Sequence, residues 1–204
     1  FFRMGDFYEA FYEDAVILAK ALDLTLTKRQ NIPMSGIPYH AFQNYIDRLL
    51  DQGIKVAVAE QTEDPKKTKG LVKREVVRII TPGTLIESNL LKAQSHNYIA
   101  SVCQIGSQFG LALLDITTAD FRVLECLSSK EMKEALYSAR PTEIILSKKF
   151  LEKNLEIFED IKLSFKCTLT SVENWHFDPA LSLEFLVRHF KVHSLDGFGL
   201  KGMS

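Results

Sequence analysis

Apolar residues recur at three- and four-residue spacing over residues 6–22, at Phe7, Phe11, Ala15, Leu18, Ala19 and Leu22. That period predicts an amphipathic helix. Gly5-Asp6 ahead of the run, with Glu9 three residues after Asp6, fits a capping box that uses Asp in place of Ser. A short strand over 24–27 and a basic turn, Lys28-Arg29-Gln30-Asn31, are expected next. Pro33, Gly36 and Pro38 make residues 32–39 read as irregular or edge structure. A second helix spans 41–52, with Gly53 where a C-terminal cap is favoured. Residues 55–59 and 75–80 alternate as strands around a polar, Lys-rich loop over 63–70.

Residues 86–96 read as a connecting segment, and a new rhythm starts at Tyr98. Three successive strands are expected at 98–105, 109–114 and 121–126. A helix at 130–139 follows, then a strand at 143–146, a short helix near Phe150, a strand near Leu163-Ser164-Phe165 and a helix at 179–190. Strands first, then alternating helices and strands, predict a mixed sheet flanked by helices. The simplest division is two small mixed α/β domains with a boundary near 86–96.

Composition narrows the classes. With 204 residues, 46% hydrophobic and 25% charged, the chain is long and apolar enough for one large core or two small ones, which excludes wholesale disorder. A formal net charge of -1, shared between two near-neutral halves, argues against binding nucleic acid through bulk positive charge. Locally, Lys66, Lys67, Lys69, Lys73, Arg74 and Arg78 crowd together, opposed only by Glu75. They form either a solvated face or a phosphate-contacting patch. No apolar run approaches the roughly 20 residues of a membrane span, and no export signal is seen. The three scattered cysteines then suggest reduced, mostly buried thiols in a cytoplasmic protein. A first residue that is Phe rather than Met, and a stop just after a Gly-rich stretch, mark the chain as an expected fragment of a longer polypeptide.

Four constellations bear on chemistry. Gly197 to Gly202 matches the spacing of a dinucleotide loop but lacks a preceding strand, and no P-loop is present. His189 and His193 stand four apart, a spacing that can bring two imidazoles to one helix face, yet no third ligand accompanies them. Asp115 and Asp120 flank a four-residue loop between strands. They are either a Mg²⁺-holding pair for phosphodiester cleavage or turn residues, with the turn favoured. Phe7-Tyr8-Glu9, at the expected start of the first helix, offers an aromatic that can wedge between stacked bases, beside a carboxylate.

The run Phe2-Arg3-Met4-Gly5-Asp6-Phe7-Tyr8-Glu9 resembles the signature of the MutS family of DNA mismatch-repair proteins. So do Leu26-Thr27-Lys28-Arg29, Pro33-Met34-Ser35-Gly36-Ile37-Pro38-Tyr39-His40 and Val76-Val77-Arg78-Ile79-Ile80-Thr81-Pro82-Gly83-Thr84. In the second half the match continues through Leu114-Asp115-Ile116-Thr117-Thr118-Ala119-Asp120-Phe121 and Asp196-Gly197-Phe198-Gly199-Leu200. The resemblance implies a mismatch-recognition domain over 1–88, a linker over 89–96 and a connector domain over 97–204, truncated at its end, with a ribonuclease H-like fold. It implies that Phe7 stacks on a mispaired base while Glu9 hydrogen-bonds it. Arg29, Met34, Ser35 and, more weakly, Lys66, Lys67 and Lys69 become further DNA contacts, and the link between Arg29 and Pro33 is shorter than in many relatives.

The implied partners are mismatched double-stranded DNA, a MutL-type repair protein at the connector and a second copy of the full-length protein. ATP and Mg²⁺ would belong to an ATPase domain outside this chain, so the fragment itself is expected to be no enzyme and to hold no cofactor. The implied location is the bacterial cytoplasm, at the nucleoid. The alternative is a Mg²⁺-dependent nuclease built on Asp115 and Asp120.

Overall fold

A computed structural model describes residues 1–63, 72–85 and 96–200. The chain divides into two compact units, Phe1–Ser95 and His96–Ser204. Each is a mixed α/β body built on one sheet, as the sequence predicts.

In the first unit the strands are β1 (Phe2–Met4), β2 (Phe7–Phe11), β3 (Thr27–Arg29), β4 (Ile32–Pro38), β5 (Val56–Gln61) and β6 (Arg74–Ile80), joined in the order β3-β4-β2-β1-β5-β6. Helices α1 (Tyr12–Leu22) and α2 (Phe42–Asp51) supply Leu18, Leu22, Phe42, Ile46, Leu49 and Leu50. These pack on the strand residues Tyr8, Ala10, Ile37, Val56, Val58 and Ile80 to form the core.

The expected helix over 6–22 is corrected at its start. Residues 7–11 are a strand and the helix begins at Tyr12. Phe7 and Phe11 fit a helical spacing of four, but they fit a strand spacing of two equally well, and pairing on both sides decides. Gly5 and Asp6 are the two-residue loop of a hairpin in which Met4 faces Phe7, with Gly5 at φ +61° as a type II′ turn demands. They are not a helix cap. The helix ends with Asp23 in the left-handed region.

Two more expectations change. Lys28 and Arg29 lie on β3, and only Gln30 and Asn31 form the turn, both at positive φ (51° and 66°), the pattern of a type I′ hairpin. Residues 32–38 form a strand between β3 and β2 rather than an irregular or edge segment. Pro33 and Pro38 are accommodated near its two ends.

The second unit has β7 (Tyr98–Ile105), β8 (Gln108–Asp115), β9 (Asp120–Cys126), β10 (Glu143–Ser147) and β11 (Thr168–Val172), in the order β11-β10-β7-β8-β9. The first three form an antiparallel meander, and β10 runs parallel to both β7 and β11. Helices α3 (Ser129–Ala139), α4 (Lys148–Lys153) and α5 (Leu155–Ser164) follow the strands, and α6 (Pro179–Phe190) comes last. Met132 and Leu136 of α3 and Phe158 and Ile161 of α5 bury against Ala100, Val102, Leu111, Leu113, Ile144 and Leu146.

Leu163 and Ser164 close helix α5 instead of forming the expected strand, because Phe158 and Ile161 share the helix's inward face. The strand comes later, at β11. Cys126 and Cys167 are buried and Cys103 half-buried, all three as free thiols. Burial pushes the Cys167 thiol up to about 11, so it stays protonated. No helix among the described residues is long and apolar enough to cross a membrane.

Candidate nucleic-acid interface

Strand β2 alternates. Tyr8 and Ala10 point into the core beneath the sheet, while Phe7, Glu9 and Phe11 stand on the opposite face, which neither helix covers. Phe7 lies beside the Gly5-Asp6 turn and is 48% exposed, with no ring contact among the described residues. An exposed Phe on a paired strand is costly to leave in water yet fixed in direction, which suits a side chain that inserts elsewhere.

The hairpin carrying it is braced from the core side. The Tyr8 ring lies 4.4 Å from that of Phe42 at a tilt of 42°, and its hydroxyl donates to Glu60 Oε1 at 2.5 Å. The Arg3 guanidinium lies 3.5 Å over the Tyr39 ring. Burial and the Glu60 carboxylate together push the Tyr8 phenol up to about 12.

Glu9 has different neighbours on its two sides. Its β1 partner is Phe2, whose ring lies 6.0 Å from that of Phe11, so an aromatic pair stands on that side. Its β4 partner is Gly36, where an added Cβ would come within 3.3 Å of the Glu9 Cγ and 3.1 Å of the Tyr8 carbonyl. The Glu9 side chain lies over the space that Gly36 leaves, and Arg29 Nη1 donates to its Oε2 at 3.3 Å. The Glu9 side chain is largely covered (14% exposed), whereas that of Arg29 remains open (55%).

The structure therefore brings Phe7, Glu9 and Arg29 together on one face. Met34, paired with Phe11 and Thr27, belongs to the same face. Ser35 does not. It is fully buried on the core side and its hydroxyl donates to the Thr25 carbonyl, because a one-residue step along a strand reverses direction. Lys66, Lys67 and Lys69 lie outside the described residues. Gly36 and the aromatic pair Phe2 and Phe11 escape a helical reading of residues 6–22. A two-residue Gly-containing turn between alternating runs is the sequence signal that reveals them.

Asp115 and Asp120 of the second unit are both engaged. Asp115 is buried and faces Asp120 directly across the ladder. It accepts from the Thr117 amide and hydroxyl (2.9 and 2.6 Å), the Asn97 amide (3.2 Å) and His96 Nδ1 (3.0 Å). Burial alone would raise its carboxyl, but the bonds from Thr117, His96 and Asn97 prevail and hold it well below the usual carboxylate range. Asp120 accepts from Tyr98 Oη at 2.6 Å and from Arg122. With their oxygens used this way the pair closes a turn, and a metal would have to break these bonds first.

His193 lies beyond the end of α6, so it shares no helix face with His189, which stacks on Phe185 instead. Residues 196–198 form a single 3-10 turn with no strand immediately before it, which does not fit a dinucleotide cradle, and Lys201 and Gly202 lie outside the described residues. Among the described residues no three or more His, Cys, Asp or Glu side chains gather as a metal site.

Comparison with known proteins agrees with this division. The family model described as MutS domain I matches residues 1–89, and that described as MutS domain II matches residues 97–204. A DNA mismatch repair protein MutS from Protochlamydia amoebophila is 53% identical over 203 residues, covering all of this chain and 24% of the relative. The proteins of the same name from Chlamydia abortus and Lachnoclostridium phytofermentans are 48% and 42% identical, over 99% and 100% of this chain and 25% and 22% of their own lengths. The chain thus spans about a quarter of the length of these curated relatives. With both domain models matched in order and Phe7, Glu9 and Arg29 assembled on one open sheet face, the chain belongs to the MutS family of DNA mismatch-repair proteins.

Proposed function

We propose that the first unit reads mismatched double-stranded DNA, with Phe7 entering the minor groove to stack on the mispaired base and Glu9 hydrogen-bonding to it. The observation that carries this reading is the half-exposed Phe7 standing two residues from Glu9 on the same uncovered strand face. Side chains two apart on a strand are about 7 Å apart, close enough to engage one unstacked nucleotide together.

A mispair has weaker stacking and pairing, so kinking the duplex there costs less than at a matched step. An apolar wedge exploits that difference without reading any one sequence. The Glu9 carboxylate is repelled by the phosphates unless a base donor compensates, so it penalises matched DNA. Arg29 and Met34 flank the wedge and contact backbone and groove, with Lys66, Lys67 and Lys69 as further phosphate contacts.

On this reading the chain binds DNA without catalysing a reaction or holding a cofactor. The full-length protein adds ATP and Mg²⁺ through other domains, pairs as a homodimer and meets a MutL-type partner at the second unit. It works in the cytoplasm at the nucleoid.

Placing 2-aminopurine beside a mispair tests the wedge. Binding of the full-length protein is expected to raise its fluorescence as the base unstacks, and Phe7→Ala to abolish the rise while binding persists at high protein concentration. An undiminished rise with Phe7→Ala overturns the assignment.

A further inference from the structure

Glu9 is held from two sides by residues that bear no direct part in stacking. On the β1 side its strand partner is Phe2, whose ring pairs with that of Phe11, and on the β4 side Gly36 leaves the space against which the Glu9 Cγ lies. The side chain reaches across β4 toward β3, where Arg29 donates to the carboxylate at 3.3 Å. Gly36 is not at positive φ, so the backbone does not require glycine there. What crowds a larger residue there is the Glu9 side chain and the Tyr8 carbonyl.

We propose that Gly36 and Arg29 are positioning residues for Glu9, and that together they set the preference for mismatched over matched DNA. Gly36 supplies the floor on which the side chain lies, and Arg29 keeps its carboxylate directed until a base donor competes for it. This inference rests on the proposed contact between Glu9 and the mispaired base.

The two residues act on discrimination through Glu9 and not through the general affinity. Loss of a phosphate contact by Arg29 weakens matched and mismatched binding alike and leaves their ratio unchanged. A displaced or freed carboxylate changes the ratio itself.

The test is a double-mutant cycle in the full-length protein, reading the ratio of matched to mismatched Kd by fluorescence anisotropy. Gly36→Ala and Arg29→Gln are each made with Glu9 present and with Glu9→Ala. Each is expected to lower the ratio about three- to tenfold when Glu9 is present, and to change it by less than about twofold when Glu9 is absent. Thermal unfolding accompanies Gly36→Ala, because its added methyl also meets the Tyr8 carbonyl. If that variant fails to fold, Arg29→Gln, which lies on the exposed face, decides alone. Equal losses in both backgrounds, or none in either, overturn the positioning role. A ratio unmoved by Glu9→Ala itself overturns instead the base contact on which the inference rests.

Discussion

Replacing Phe7 by Ala separates recognition from folding, because the two effects have very different sizes. In the free protein the ring is 48% exposed and makes no aromatic pair among the described residues, so its removal forfeits only part of a buried side chain. That part amounts to about 1 kcal/mol, and the melting temperature is expected to fall by no more than about 5 °C. If the ring stacks on a mispaired base as proposed, its stacking is worth about 1–3 kcal/mol, which predicts a loss of about 5- to 150-fold in mismatch affinity. Matched duplex, which resists kinking and leaves the ring in water, loses less than about threefold. Fluorescence anisotropy with a mismatched and a matched duplex, titrated at two salt concentrations, reads both numbers. The salt dependence is expected to stay the same, since no cation is removed. An equal loss on both duplexes would refute the wedge, because it would show that Phe7 supports the surface in general and not the mispair.

Glu9→Ala is expected to tighten matched-duplex binding about three- to tenfold by removing a charge that faces phosphates; looser matched binding contradicts the penalising role. Asp115→Ala should destabilise the second unit by about 2–4 kcal/mol in urea unfolding, since it strands the Thr117 and Asn97 amides, and a loss under about 1 kcal/mol would show that the turn forms without it. Because the folded Asp115 carboxyl lies below its ordinary 3.8, its contribution is complete above that pH and is lost as pH falls through the folded value. Tyr8 runs the other way. Its phenol sits near 12 against an ordinary 10.0, so its contribution is complete below pH 10 and disappears as pH rises through about 12. Ultraviolet titration should show Tyr8 ionising late, alongside Tyr98, whose phenol the bond to Asp120 also raises, and Tyr8→Phe should remove only the Tyr8 part of the late step and cost about 1 kcal/mol.

The two-unit α/β division was legible because it rests on local pattern. The strands at 98–105 and 121–126 and the helices at 130–139 and 179–190 have periods and punctuation that neighbouring chain segments only reinforce. Phe7 and Glu9 were legible as a pair through their motif. The element carrying them was not, since a spacing of four between apolar residues satisfies a helix and a strand alike. Ser35 shows the same limit, because only the register between β2 and β4 reveals that it faces the core while Met34 faces the open side.

By itself the sequence determined the family and the two mixed α/β domains, and singled out Phe7 with Glu9, because these follow from motif and local periodicity. Only the tertiary structure decided which side chains share a face. Strand pairing places Gly36 under Glu9 from 27 residues away and brings Arg29, 20 residues along the chain, to its carboxylate. Such neighbours are set by hydrogen-bonded register between distant segments, and no period along the chain encodes it.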